Sequence, residues 1–384
     1  MRLTPEHVAF QDGVRRFVTH AVAPFINDWD EAQAFPRALY AQAAGIGLLG
    51  LGYPEAYGGT PADGWYRLIA TEEIARAGSG GLMASLFSHN IGLPPIVAHG
   101  SEALKRRVIP EVLAGTKISA LAITEPSGGS DVARLRCSAR LEDDHWVVDG
   151  EKTFITSGMR ADWITLAVRT GGNGAAGISL LAVPGDVPGL ERSPLSKMGW
   201  WCSDTAQLRF NGCRVPADHL IGAENGGFGE GAAFRAIMEN FNGERLLMSA
   251  GACAFAQVCL DEALDWARQR QTFGAPLVEH QVIRHKLMDM RMRISSTRAW
   301  LHALVEQQEA GDTDAGWVVD LCLLKNHATQ TMQFCADQAV QILGGMGFMR
   351  GTKSERIYRE VKVMMIGGGA EEIMKELAAR QLAV

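Results

Sequence analysis

The sequence predicts three blocks in series, helical, then β-rich, then helical, and three observations carry that prediction. Val14, Phe17, Val18 and Val22 recur at helix spacing, and Ala/Leu-rich segments continue that texture to about residue 115. From about 116 to 224, short β-rich runs alternate with Gly, Pro and Asp. Beyond about 225, Ile283, Leu287, Met290, Ile294, Leu301 and Leu304 form one long apolar stripe. The expected domains are a helical 1–115, a β domain over 116–224 and a helical bundle over 225–384.

The elements follow in order. Arg2, Leu3 and Thr4 lead into the first helix, with Thr4 as its cap and Pro5 in its first turn. In the middle block, 146–148 (WVV), 163–168 (WITLAV) and 178–183 (ISLLAV) read as strands, and Ala206, Leu208 and Phe210 alternate with Gln207 and Arg209. The run 172–177 (GNGAAG) fits G-x-G-x-x-G, but a strand follows it where a dinucleotide fold needs a helix, so it reads as a hairpin loop. No Gly-x-Ser-x-Gly elbow occurs. A further helical stripe is expected over 245–270.

Composition excludes several classes. With 384 residues, 47% of them hydrophobic, the chain can bury a large core or form two to three domains. A net charge of −6 gives no general attraction for nucleic acid or an anionic membrane. No apolar run approaches the roughly 20 residues that span a bilayer, and the N-terminus does not read as a signal peptide. The seven cysteines, at 137, 202, 213, 253, 259, 322 and 335, are odd in number and contain no Cys-x-x-Cys, which fits free thiols in a reducing cytoplasm. The ten histidines are scattered. His280 and His285 do not share a helical face, and no metal site is expected.

Two segments at the start of the β block carry chemistry: 121–131 (LAITEPSGGSD) and 152–158 (KTFITSG). Glycines such as Gly129 let the backbone approach a ligand, Thr124, Ser130 and Thr156 can hydrogen-bond heteroatoms, and Phe154 can cover a ring face. Two ordinary turns would use the same residue types. A helical bundle facing a β domain leaves a cleft between them, a common place for a cofactor.

The order of the motifs resembles the acyl-CoA dehydrogenase family from end to end. The matching pieces are 123–131 (ITEPSGGSD), Gly150 with Lys152, Phe154 and 155–158 (ITSG), 163–165 (WIT), 199–200 (GW) and 203–205 (SDT). They continue with 214–216 (RVP), 270–274 (RQTFG), 341–347 (QILGGMG) and 355–359 (ERIYR). The resemblance implies a helical N-terminal domain, a central β domain (a barrel or two small sheets) and a C-terminal four-helix bundle. It implies one FAD per subunit, oxidation of an acyl-CoA to the trans-2-enoyl-CoA with the β-hydrogen leaving as hydride to flavin N5, an electron-transfer flavoprotein as acceptor, and a homotetramer. By position it places Thr124, Gly129, Ser130, Phe154 and Thr156 at the flavin, with Ser130 also near the thioester arm. Arg270 and Phe273 would reach the FAD of a neighbouring subunit, and Gln341 and Gly345 its adenosine and pyrophosphate part. From the residues alone, 270–276 is also an ordinary helix stop, and 341–347 a tight packing turn.

Most members of that family carry the catalytic glutamate in a C-terminal segment matched here by 366–373 (IGGGAEEI), and Gly368 stands where it would be. A second branch, including the isovaleryl-CoA and long-chain enzymes, places its glutamate on a helix before an arginine. The matching dipeptide is Glu244-Arg245, within 242–247 (NGERLL). The resemblance therefore implies Glu244 as base, Arg245 on a CoA phosphate, Asn242 at the substrate, and the Gly368 N–H at the thioester oxygen. Glu371 and Glu372 are the fallback bases, with Glu372 otherwise at the flavin edge or a helix start, and Ala370 replaces a family threonine. A base for neutral pH needs a pKa raised from about 4.3 to roughly 6–7, some 2.7 kcal/mol, which burial can supply. A solvated glutamate in the first turn of a helix is the competing reading of Glu244. The three glycines 367–369 are expected to leave room for a medium-to-long or branched acyl chain. A flavin oxidase or monooxygenase on the same fold, and a non-catalytic binding protein suggested by Gly368, are the alternatives.

Overall fold

The computed structural model describes residues 3–222 and 233–383; Arg2 and the expected junction at 224/225 lie outside them. The N-terminal helices are α1 (Pro5–Phe17), α2 (Ile26–Glu31), α3 (Ala38–Gly45), α4 (Gly64–Ala75), α5 (Gly80–Leu86), α6 (His89–Gly92), α7 (Pro94–His99) and α8 (Glu102–Leu113). Thr4 Oγ1 accepts from the His7 N–H at 3.3 Å while the Thr4 N–H donates to His7 Nδ1 at 3.2 Å, a reciprocal cap in which histidine takes the usual glutamate place. His7 Nε2 lies 3.2 Å from Asp63 Oδ1, which in turn caps α4 through the Trp65 and Tyr66 N–H groups. Val14, Phe17, Val18 and Val22 are all buried, as their spacing predicted.

The middle block holds β1 (Ser119–Ala122), β2 (Ser138–Glu142), β3 (His145–Thr156), β4 (Trp163–Arg169), β5 (Ile178–Pro184), β6 (Leu190–Pro194) and β7 (Thr205–Pro216). They join in one seven-stranded sheet, β1-β4-β2-β3-β7-β6, with β5 antiparallel to β4. The expected loop at 172–177 is the β4–β5 hairpin connection. Ala206, Leu208 and Phe210 are buried while Arg209 is exposed, which is the alternation a half-buried strand requires.

The C-terminal block holds α9 (Phe234–Gln269), a small hairpin β8 (Gln271–Thr272) and β9 (Ala275–Pro276), α10 (Gln281–Ala310), α11 (Ala315–Leu343), α12 (Gly345–Phe348), α13 (Lys353–Ile366) and α14 (Glu371–Gln381). Helix α9 starts before the expected stripe and packs most extensively on α11, then on α10, α4 and α13. By length and composition it could cross a bilayer, which corrects the sequence expectation, but 72% of its apolar window is buried inside the protein. It is a core helix. One apolar core runs without a break from Val14 and Leu82 of the N-terminal helices to Phe255, Met290 and Met364 of the bundle. Glu360 of α13 is fully buried and accepts from the Gly80 N–H at 2.7 Å, so α13 is tied to the start of α5. Burial pushes that carboxyl up to about 7, against the donated hydrogen bond.

The two chemistry-bearing segments are fastened by one buried ion pair. Lys152 on β3 has 0% exposure, and its Nζ donates to Ile123 O and to Glu125 Oε1, both at 2.9 Å. Glu125 also accepts from the Arg136 and Cys137 N–H groups at 2.7 and 2.8 Å. Burial raises the Glu125 carboxyl, but the Lys152 charge and these donors outweigh it and leave the group below the ordinary carboxylate value. Its contribution to stability is therefore present at neutral pH and lost as pH falls through that lowered value. Lys152→Met should cost about 3–5 kcal/mol in denaturant unfolding, because Glu125 is left charged and buried. Adding Glu125→Leu should recover only part of that loss, since the Arg136 and Cys137 N–H groups then lack an acceptor.

Candidate active site

On the wall formed by β1, its following turn and β3, the Thr153 N–H donates to Thr124 O at 2.9 Å, so the two segments run side by side. The β3–β7 register slips between Lys152 and Ile155, and inside that bulge Phe154 sits at φ +60° with 69% exposure. A left-handed backbone at a bulky residue costs of order 1–3 kcal/mol. Here it lifts an aromatic ring off the sheet rather than packing it, as bulges beside active sites do. Thr124 and Thr156 are half-buried, and Gly129 and Ser130 are exposed. A Cβ on Gly129 would come within 3.1 Å of the Thr124 methyl, so a side chain there would press on Thr124. An exposed ring flanked by hydroxyls and close backbone fits a flat, polar-edged ring system such as a flavin.

The second side of the site is built by α9, α11 and the 367–369 loop between α13 and α14. Asn240 on α9 donates to Ile91 O at 2.8 Å, and α6 in turn packs on β1, so short N-terminal helices link this side to the wall. Glu244 lies well inside α9, which begins at Phe234; the competing reading, a solvated glutamate in a first helical turn, is removed. Its side chain is half-buried, and burial raises its carboxyl above the ordinary value, opposed by the charges of Arg245 and Lys325.

Arg245 departs from expectation. It is 5% exposed, its Nε donates to Gly368 O at 3.0 Å and its Nη1 to Asn242 Oδ1 at 2.9 Å. A guanidinium spent on buried acceptors is not presented to a CoA phosphate, so that role is corrected: Arg245 fastens the glycine loop. Asn242, expected at the substrate, gives its amide oxygen to orient Arg245. Lys325, which the sequence reading passed over, holds the same loop, donating to Met365 O at 3.0 Å and Gly369 O at 2.7 Å. The signal was present: a lysine within the α11 stripe of Leu321, Leu324, Ala328 and Met332.

Gly368 and Gly369 have φ of +65° and +112°. The room expected beside them is filled: a Cβ on Gly368 would lie 2.7 Å from Met248 Sδ, and one on Gly369 2.4 Å from Met374 Cε. That corrects the expectation of an open space, because two flexible thioethers occupy it. Among the described residues no acceptor takes the Gly368 N–H. Of the fallback bases, Glu371 accepts from Lys375 and Gln330, which hold its carboxyl below the ordinary value, and Glu372 is exposed in the first turn of α14. Ala370 is the α14 N-cap and gives no side-chain hydrogen bond.

Arg270 and Phe273 stand apart from this cluster. Phe273 and Gly274, both at positive φ, form the two-residue turn of the β8–β9 hairpin, and the Phe273 ring is fully exposed. The helix does stop at Gln269, but through a hairpin rather than a glycine cap. Gln341 and Gly345 are exposed where α11 gives way to α12.

Three family models cover the chain: acyl-CoA dehydrogenase N-terminal domain over 4–116, middle domain over 120–213 and C-terminal domain over 231–383. The chain belongs to the acyl-CoA dehydrogenase family. Among curated relatives, it is similar to the mitochondrial isovaleryl-CoA dehydrogenase of Oryza sativa subsp. japonica, 34% identical over 97% of this chain and 90% of that one. The mitochondrial long-chain specific acyl-CoA dehydrogenase of Rattus norvegicus is 33% identical over 98% and 86%. The crystal structure of acyl-CoA dehydrogenase from Geobacillus kaustophilus superposes at a TM-score of 0.94 with 33% identity, covering 100% of this chain and 99% of that one. This acyl-CoA dehydrogenase is an FAD enzyme, and the non-catalytic alternative falls.

Two outcomes follow for this site. Phe154→Ala should leave apoprotein stability within about 0.5 kcal/mol, as for an exposed side chain, while weakening FAD binding about tenfold in a fluorescence titration. Gly368→Ala should lower stability by about 1–2 kcal/mol through its φ, and Met248→Ala in the same chain should not restore it, because a methionine can move aside and a backbone angle cannot.

Proposed function

We propose that this acyl-CoA dehydrogenase uses Glu244 as its base on medium-to-long or branched acyl-CoA substrates. The observation that carries the reading is Glu244 itself: a carboxylate raised by burial on a rigid core helix, beside a loop whose glycine cannot accept a proton. Glu244 takes the α-proton. The Gly368 N–H, left without a protein acceptor among the described residues, donates to the thioester oxygen and stabilises the charge that develops there. Thr124, Gly129, Ser130, Phe154 and Thr156 hold the isoalloxazine. Bound FAD supplies the acceptor for the β-hydride.

The substrate range is supported by the isovaleryl-CoA and long-chain relatives and by Met248, whose side chain leans back over the turn that carries Glu244 and can adapt to different acyl shapes. Electrons pass to an electron-transfer flavoprotein. The active form is a homotetramer in which Arg270, Phe273, Gln341 and Gly345 serve the cofactor of a neighbour, a reading supported by their exposure and by exposed Met288, Met292 and Phe348. A cytoplasmic location is supported by seven cysteines that are all free and buried.

Anaerobic titration with an acyl-CoA panel tests the reading. Longer or branched chains should bleach the flavin with higher kcat/KM than butyryl-CoA, and the reverse order refutes the chain-length assignment. Glu244→Gln should bind FAD and substrate but lose at least about a thousandfold in bleaching rate. In the active enzyme kcat/KM should fall as pH drops through a limb above the ordinary carboxylate range, since only the ionised Glu244 accepts a proton.

A further inference from the structure

Lys325 is fully buried on α11 among apolar neighbours. A cation survives there only with its donors satisfied, and the Lys325 hydrogen bonds go to the carbonyls of Met365, just before the glycine loop, and Gly369, its last residue. From α9, Arg245 takes the carbonyl of Gly368. Two cations on two helices thus grip one loop. Among the described residues, neither forms an ion pair within 4.0 Å. The charged and titratable groups facing Lys325 are Arg245 and Glu244 from α9, Glu371 from α14 and Cys322 on α11 itself, while α13 presents the Met365 carbonyl. Glu371 is already engaged by Lys375 and Gln330. That leaves Glu244 as the carboxylate positioned to answer the pair.

We propose that Lys325 is a positioning residue of the dehydrogenation, fixing the peptide planes of the 367–369 loop and, with Arg245, keeping a positive potential at Glu244. The proposal rests on Glu244 being the base. In a trans peptide the N–H points away from the C=O. The Lys325 grip on Met365 and Gly369 sets the 365–366 and 369–370 peptide planes, and the Arg245 grip on Gly368 sets 368–369, so the 367–368 peptide that carries the Gly368 N–H is held between fixed planes on both sides. A hydrogen bond from a cation also polarises each peptide it touches. The uncompensated charge favours the ionised form of Glu244 against its burial, and favours the negative charge that develops on the substrate oxygen. Burial lowers the Lys325 amine to about 8, the Arg245 charge adding to this and Glu244 and Glu371 opposing it, so Lys325 remains cationic at neutral pH.

The test compares Lys325→Gln, Lys325→Arg and Glu244→Gln holoenzymes, each normalised to bound FAD. Lys325→Gln keeps a donor without the charge. It should lose about tenfold in kcat with KM little changed, and its acidic kcat/KM limb should move up by roughly one pH unit. Lys325→Arg keeps the charge and should hold the limb in place. A Lys325→Gln enzyme with wild-type kcat and an unmoved limb overturns the proposal, as does a Lys325→Arg enzyme whose limb shifts upward. If Lys325→Gln fails to fold, the Lys325→Arg limb decides. A Glu244→Gln enzyme that still bleaches its flavin overturns the base assignment instead, whatever the lysine variants do.

Discussion

The contact between Lys152 and Glu125 is the constraint on which the cofactor wall depends. One ammonium reaches from β3 to the backbone and carboxylate of the neighbouring segment, and that carboxylate gathers two further N–H groups from 136 and 137. Three segments, at 123–125, 136–137 and 152, are thereby fixed to one another. The strained Phe154 backbone follows two residues later and is tolerable because the strand on one side of it cannot move. An apolar pair could pack as well there, but it would not specify which turn meets which strand.

Charge is used differently on the opposite side. There the buried groups are two cations facing carbonyl oxygens, with a carboxylate nearby rather than bonded to them. The wall neutralises its charges internally and is structural. The helical side leaves its positive charge partly unanswered, as a site that must meet an anionic transition state does.

Much of this is legible in the sequence. The three-block layout, the N-cap at Thr4, the hairpin at 172–177 and the alternation in β7 follow from local periodicity and turn chemistry, which act over a few residues. The wall residues were legible as a group because two short motifs carried them together. What the sequence could not convey was the direction of long side chains. Arg245 precedes a helical turn that could face solvent or core, and only the position of Gly368, more than a hundred residues away, turns it inward. The glycine loop misled for the same reason: absent side chains suggest space, but Met248 and Met374 come from other elements to fill it. Lys325 was visible as a lysine in an apolar stripe, yet its partners are backbone oxygens, which no residue pattern reveals.

The seating of the carboxylate within the long helix α9, rather than in the loop between α13 and α14, also shapes how such an enzyme can diverge. A proton acceptor carried on a loop ties that loop to one length and one backbone path. With Glu244 on α9, anchored by neighbours from both helical blocks, the glycine loop and the methionines packed on it can vary while the carboxylate stays put. Changes at residues 248 and 374 alter what packs against the glycine loop and leave Glu244 seated where it is.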